Sequence, residues 1–218
     1  PNSPLPYYSI GQVYLKTNNY KMAVDNFNSA IIINPYETDK YKKSITSISQ
    51  RLAKSGDSKF RVKEYSEALD LYLEAIDYNP SFTAVLYRIT NVYQQMRDYE
   101  NAKIFAEKTL SYDSSHYKSM KTLGDLYYQL GDINNSVQFY NQCIGANPQY
   151  YKAYYSLSKV LNEQGKGDRA IENLNMALSI NPAYDKAYIL LGVIHSDSGN
   201  YENAIYNFKK AIDINDKN

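Results

Sequence analysis

The chain has 218 residues, 44% hydrophobic and 22% charged, which excludes a disordered or collagen-like polymer and leaves room for one large folded domain or two small ones. Its 24 Lys and Arg balance 23 Asp and Glu to a net charge of +1, so bulk electrostatics give no reason to expect a nucleic-acid or membrane-surface protein. A single cysteine excludes an internal disulfide and a thiolate metal cluster, and apolar runs such as Ala30-Ile31-Ile32-Ile33 are far too short to span a bilayer.

Asn-Pro pairs at 34/35, 79/80, 147/148 and 181/182 act as a ruler with a period of about 34 residues. Pro148 and Pro182 stand one period apart, Pro80 and Pro148 two, and Pro35 and Pro80 one period lengthened by an insertion over 38–48. The first unit, residues 4–37, carries Tyr7, Ile10-Gly11, Tyr14, Ala23, Phe27 and Pro35. The insertion leads into the second unit with Tyr41, Ile45, Ile48 and Leu52 at steps of four, three and four, and with no Gly or Pro from Tyr36 through Ser55. That spacing predicts one long helix running into the second unit and overhanging its neighbours by roughly 16 Å at 1.5 Å per residue. Thr38 is its expected N-cap, and Asp39 suits its first turn.

In the second unit, 49–82, Leu52, Gly56, Ala68, Tyr72, Ala75 and Pro80 keep the pattern while Ser55 and Lys59 do not. The third, 83–116, keeps Leu86, Ile89, Tyr93 and Ala102 but departs at Thr90, Ala106, Thr109 and Ser114. The fourth, 117–150, has Met120, Leu123-Gly124, Tyr127, Ser136, Tyr140 and Pro148; the fifth, 151–184, has Tyr154, Leu157-Ser158, Leu161, Ala170, Leu174 and Pro182. The sixth, 185–218, has Tyr188, Leu191-Gly192, His195, Ala204 and Phe208, with Asp216 in place of the proline. Small residues form one column at Gly11, Gly56, Thr90, Gly124, Ser158 and Gly192 and another at Ala23, Ala68, Ala102, Ser136, Ala170 and Ala204. Polar joints such as Thr17-Asn18-Asn19, Gly131-Asp132 and Ser198-Gly199-Asn200 suit a left-handed helix stop and a tight turn.

These positions resemble the tetratricopeptide repeat (TPR) pattern: an aromatic, then Leu-Gly, Tyr, Ala-x3-Phe and Pro at fixed offsets. Across residues 4–218 the resemblance implies an all-α fold, a right-handed superhelical solenoid of stacked antiparallel helix pairs, with one extended helix in the second repeat. In such a solenoid the small columns mark where two helix backbones approach most closely.

No enzymatic signature is present: no phosphate-binding glycine loop, no dinucleotide fingerprint, no HExxH helix and no nucleophile elbow. Cys143 falls in the column of Ala30, Ala75, Thr109, Ala177 and Ala211, so it reads as a buried small residue rather than a nucleophile. His195 shares the column of Tyr14, Tyr93 and Tyr127 and reads as structural, and His116 sits at a unit boundary without a carboxylate pattern. A sequon, Asn134-Asn135-Ser136, is accidental in an Asn-rich chain. No enzyme activity, cofactor, metal or nucleic acid is expected.

Two binding surfaces are expected instead. The resemblance implies a concave groove lined by the first helices and taking a partner's peptide or helix. Its lining is Tyr8, Gln12 and Leu15; Ala53, Asp57 and Phe60; Tyr87, Asn91 and Gln94; Lys121, Asp125 and Tyr128; Tyr155, Lys159 and Asn162; then Ile189, Val193 and Ser196. Amides there suit a peptide backbone, tyrosines offer rigid contact area, and Lys121 with Lys159 suit a carboxylate. The Lys/Asn clamp of chaperone-binding TPR domains is broken, since Ala53, Asp57 and Arg88 stand at its positions. The second surface is the long helix. From Lys40 to Lys63 eight basic residues face one acid, Asp57, so the segment carries +7 and the remainder −6. Lys40, Lys42, Lys43, Arg51 and Lys54 would meet an acidic partner.

The expected function is a non-enzymatic protein-interaction scaffold. A substrate-recruiting fragment of a larger enzyme, such as a glycosyltransferase, and a homotypic assembly module are the alternatives. The opening Pro1-Asn2-Ser3-Pro4 lacks a methionine or leader, and no capping helix follows the sixth unit, so the chain reads as an excised piece. The uncapped end is a candidate for self-association. Cytoplasmic residence is the expectation, with an exported form whose signal has been removed as the other possibility.

Overall fold

Six times along the chain a short turn joins two helices of 12 to 15 residues, except where the first of the pair is 24 residues long. The computed structural model describes residues 3–216; Pro1 and Asn2 of the opening, and Lys217 and Asn218 of the sixth unit, lie outside the described residues. Within the described residues there are twelve α-helices and no strand. They are α1 (Leu5–Lys16), α2 (Tyr20–Ile33), α3 (Thr38–Arg61), α4 (Tyr65–Tyr78), α5 (Thr83–Gln95) and α6 (Tyr99–Tyr112), then α7 (Tyr117–Gln129), α8 (Ile133–Ala146), α9 (Tyr151–Glu163), α10 (Gly167–Ile180), α11 (Asp185–Asp197) and α12 (Tyr201–Asn215). Two compact units divide the chain after Tyr112, so α1–α6 build the first and α7–α12 the second. Inside each unit the odd helix packs on the even helix that follows, and each pair packs on the next.

The turn inside every pair has one residue in the left-handed region: Asn18, Lys63 and Arg97 in the first unit, Gly131, Gly165 and Gly199 in the second. This geometry bonds the released helix carbonyls, as when Asn19 donates its N–H to Tyr14 and Asp132 to Tyr127. The next helix often starts on an Asx cap. Asn19, Asp98, Asp132 and Asn200 accept from the backbone N–H three residues on, each contributing about 1 kcal/mol.

The Asn-Pro pairs close the even helices. Asn34, Asn147 and Asn181 leave helical geometry, and each side chain accepts the N–H two residues ahead, beyond the proline that cannot donate. The sequence ruler skips α6 because that helix ends at Asp113-Ser114. There Asp113 makes the same turn to Ser115 N–H at 3.1 Å without a proline.

Size exchange at the closest approach explains the degenerate third unit. A Cβ built on Gly11, Gly56, Gly124 or Gly192 would lie 2.5–2.6 Å from the ring of Phe27, Tyr72, Tyr140 or Phe208 sixteen residues on. Glycine is therefore required by the ring, not by the backbone conformation. Where the first partner has a side chain, the second shrinks or changes shape: Thr90 meets the column position of Ala106, and Ser158 that of Leu174, all fully buried. The buried hydroxyls of Thr90 and Ser158 bond the carbonyls of Leu86 and Tyr154 four residues back, so neither is left unsatisfied.

The long helix α3 corrects two expectations. Its cap position is Glu37, after a single 3-10 turn over Pro35–Glu37, and the Thr38 hydroxyl donates to Pro35 O at 2.6 Å instead of capping. Nor does its extension overhang. Tyr41 and Ile48 are fully buried and Ile45 nearly so, with the Tyr41 ring 5.4 Å from Tyr8 and Ser44 accepting from Gln12 at 3.3 Å. The added turns find a wall in the first pair because Tyr41, Ile45, Ile48 and Leu52 form one stripe.

Candidate partner-binding surfaces

Within the first unit, Tyr8, Gln12, Asp57, Phe60, Tyr87, Asn91 and Gln94 project from α1, α3 and α5 and are all half-buried, the exposure of a lined surface rather than of a core or an open face. Leu15 and Ala53 do not join them. They continue the inward stripes of Gly11 and Gly56, about one helical turn away, and are buried. Tyr8 lies between Phe27 and Tyr41 with the Lys40 ammonium 4.7 Å above its ring. Phe60 packs on Tyr65 at 5.5 Å between centroids. The side-chain amides of Asn91 and Gln94 make no hydrogen bond among the described residues.

Asp57 is committed to structure. It accepts from the Tyr72 hydroxyl at 2.7 Å and forms an ion pair with Arg88 Nε at 3.1 Å, linking α3, α4 and α5. Burial first, then the Asp57 carboxylate, pushes the Tyr72 hydroxyl well above the ordinary tyrosine range.

In the second unit the same device recurs with a different cation. Asp125 accepts from the Tyr140 hydroxyl at 2.8 Å, and its other oxygen takes Lys121 at 2.6 Å from one turn earlier on α7. Burial and then Asp125 raise the Tyr140 hydroxyl strongly. Ser156 stands, two periods on, at the position that Arg88 holds in the first unit. With a serine there, a cleft of about 430 Å³ opens, lined by Lys121, Tyr151, Lys152, Tyr155, Ser156, Tyr184 and Lys186. A smaller cleft of about 150 Å³ shares Tyr155 and Lys186 and adds Lys159, Ile189, Leu190 and Val193. Tyr184 stacks edge-on against both Tyr151 and Tyr155, with centroids 4.8 and 5.2 Å away. Burial raises the hydroxyls of Tyr155 and Tyr184, which keeps both protonated as donors.

The remaining expected residues of this unit are Tyr128 and Asn162, half-buried, and Lys159, exposed with its ammonium 5.5 Å over the Tyr128 ring. Tyr128 donates its hydroxyl to Glu163 of α9. The Asn162 amide, like those of Asn91 and Gln94, makes no hydrogen bond among the described residues. Ile189 and Val193 are exposed, and Ser196 is half-buried.

The sequence pattern passes over Tyr151, Lys152, Tyr184 and Lys186. A signal is nonetheless present: Tyr-Lys pairs at 117/118 and 151/152, with Lys186 one period later, open successive first helices of this unit.

Along α3, successive residues turn by about 100°, which puts Lys43, Lys54 and Arg61 on the face opposite Tyr41, Ile45, Ile48 and Leu52, with Lys40 and Arg51 on one flank of that face. All five are exposed. Lys40 is 3.3 Å from Glu37, so its charge is partly answered, while Lys43, Arg51 and Lys54 have no ion pair among the described residues. Lys42 is exposed on the other flank, on the rim of a cleft of about 400 Å³ with Asn28, Ile45 and Tyr78.

The groups that attract catalytic readings are structural in setting. Cys143 is fully buried and burial pushes its thiol up to about 12. His195 is half-buried on α11. His116 caps α7: its Nδ1 accepts from Ser119 N–H at 3.3 Å, and burial lowers its basicity. Among the described residues no group of three His, Cys, Asp or Glu is placed to hold a metal, and no helix is long and apolar enough to cross a membrane.

Residues 95–177 match the family described as anaphase-promoting complex, cyclosome, subunit 3, and residues 6–37 and 185–218 each match a tetratricopeptide repeat family. No curated protein matches the chain. Among solved structures, a crystal structure of MamA is similar with TM-score 0.67 at 24% identity, covering 74% of this chain and 95% of that one. MamA from Desulfovibrio magneticus RS-1 gives TM-score 0.68 at 18% identity, covering 78% and 96%. YrrB, described as a TPR protein with an unusual peptide-binding site, gives 0.60 at 22% identity, covering 86% and 91%.

Proposed function

The chain belongs to the tetratricopeptide repeat family, and from that premise we propose that it is a non-catalytic protein-interaction scaffold whose first helices bind a partner's peptide segment or helix. The observation that carries this reading is the set of half-buried, unbonded amides of Asn91, Gln94 and Asn162 among rigid tyrosines. A half-buried amide without a partner loses part of its hydration and gains nothing in return, whereas a peptide backbone supplies both the acceptor and the donor it lacks. The peptide-binding site in the description of YrrB makes a peptide a fitting ligand for this fold. The basic face of α3 is a second contact, for an acidic surface of the same or another partner.

The test is partner capture by the whole chain and by two variants with unchanged helical content. One carries Asn91→Ala, Gln94→Ala and Asn162→Ala; the other carries Lys43→Glu, Arg51→Glu and Lys54→Glu. Partners lost with the amide variant and kept by the charge variant support the groove reading. Loss with the charge variant alone moves the main contact to α3, and equal recovery by all three proteins overturns both surfaces.

A further inference from the structure

We propose that the cleft over α7, α9 and α11 in the second unit recognises an extended acidic peptide whose carboxylates are three residues apart, next to an apolar side chain. This deepens the groove reading and rests on it.

The charge around the cleft is one-sided. Lys121, Lys152 and Lys186 line it, and Lys159 stands on the adjoining cleft. The carboxylate beneath, Asp125, is already occupied by the Tyr140 hydroxyl at 2.8 Å and by Lys121 at 2.6 Å. Asp185, beside Lys186, is the acid close enough to act on Tyr155 and Tyr184. Lys152, Lys159 and Lys186 have no ion pair among the described residues. Three cations therefore face solvent across a tyrosine floor, with hydroxyls that donate to carboxylate oxygens.

The spacing selects the ligand. Lys152 and Lys186 occupy the same position on α9 and α11, one period apart, and these helices touch directly. Helices in contact have axes about 8–10 Å apart, and a peptide in the extended polyproline II conformation advances about 3.1 Å per residue and returns to the same face every third residue, so successive lysines match every third residue of such a peptide. The smaller cleft shares Tyr155 and Lys186 and is walled by Ile189, Leu190 and Val193, which suits an apolar side chain beside the acidic ones. The first unit lacks this arrangement. Ser49-Gln50 and Thr83-Ala84 stand where Tyr151-Lys152 stands, and Arg88 fills the place of Ser156.

The experiment selects binders from a displayed library of random-sequence peptides with the whole chain, then measures the selected peptides against three variants. These are Tyr155→Ala, the pair Lys152→Glu with Lys186→Glu, and, as a charge-matched control, Lys43→Glu with Lys54→Glu on α3. Expected are peptides with Asp or Glu three residues apart. They should weaken tenfold or more on both Tyr155→Ala and the cleft pair, weaken less than twofold on the control pair, and lose affinity with added salt. Scrambling the acidic spacing should lose a comparable factor. Peptides that depend on Tyr155 but carry no acidic pattern and ignore the cleft pair overturn this inference and leave the groove reading standing. Peptides indifferent to Tyr155, or no selection at all, overturn both. Equal weakening by the cleft and control pairs overturns the inference by reducing it to net charge.

Discussion

The two units solve the same turn with different residues. Each pair of helices is joined through one left-handed residue, and the second unit uses Gly131, Gly165 and Gly199, whereas the first uses Asn18, Lys63 and Arg97. A glycine takes this conformation without steric penalty, and asparagine tolerates it, but for Lys and Arg it costs about 1 kcal/mol or more. The units also answer the same buried tyrosine–aspartate bond differently, with Arg88 from the next pair in one and Lys121 from the same helix in the other. The first unit ties neighbouring pairs together through Arg88, which fills the position that Ser156 leaves open in the second; the second keeps its ion pair within one helix and has a cleft there. The same repeat thus supports a filled position in one half and an open one in the other.

That contrast is sharpest where packing is tightest. Placing the second unit's arrangement into the third pair, Ala106→Tyr alone should destabilise by about 1–3 kcal/mol, because the ring meets Thr90. Adding Thr90→Gly should recover most of the loss, and a thermal-unfolding double-mutant cycle measures the coupling. Additive effects would mean that the size exchange between the two columns is coincidental.

The turns give the next largest effects. Lys63→Gly and Arg97→Gly should each stabilise by roughly 0.5–1 kcal/mol, while Gly131→Ala, Gly165→Ala and Gly199→Ala should each destabilise by about 1 kcal/mol. A Cβ at these three glycines would meet nothing within 4 Å, so the loss isolates backbone strain. Denaturant midpoints at constant slope would register both signs, and a gain from Gly131→Ala would contradict the strain argument.

The smallest effect is confined to the second unit. His116 has its basicity lowered by burial, and its neutral Nδ1 caps α7. Its contribution is therefore present above the ordinary histidine value of 6.5 and lost as pH falls below it, when the unfolded chain takes up the proton more readily. Removing the cap with His116→Ala should cost about 0.5 kcal/mol at neutral pH, the low end for a cap, and flatten the stability profile between roughly pH 7 and 5. A profile unchanged by the substitution would show that another group titrates there.

Much of the fold is legible because a repeat amplifies weak signals. One Gly or Ala says little, but a small residue at a fixed offset in six successive units marks a helix crossing, and Gly11, Gly56, Gly124 and Gly192 each lie under a ring. The third unit looks degenerate only while the sequence columns are read one at a time; Thr90 and Ala106 are a matched pair once the two columns are read across. The end of α6 escapes the ruler because side-chain bonding, not proline, makes the turn, and Asp113 can do what asparagine does.

The surfaces are harder to read. Helical spacing alone puts Leu15 and Ala53 in the groove, but the buried stripe is wide enough to include them. Asp57 and Asp125 pass for free groove acids in the sequence, because their partners fifteen residues on, Tyr72 and Tyr140, read there as large packing residues of the repeat rather than as hydroxyl donors. The tyrosines and lysines that line the second unit's cleft, Tyr151, Lys152, Tyr155, Tyr184 and Lys186, are obscured by the abundance of tyrosine, with 25 in the chain. A residue type that fills structural, stacking and surface roles alike cannot flag any one of them.

The 24-residue helix α3 shows how such an array can change length at all. At about 100° per residue, eleven added residues bring an apolar stripe back to within about 20° of its original direction, whereas ten or twelve would leave it some 80–120° astray. Growth inside a packed helix is accordingly quantised. The chain moves from one period to the next as a ratchet moves between teeth, and the intermediate lengths are excluded because they would turn Tyr41 and Ile45 out into water.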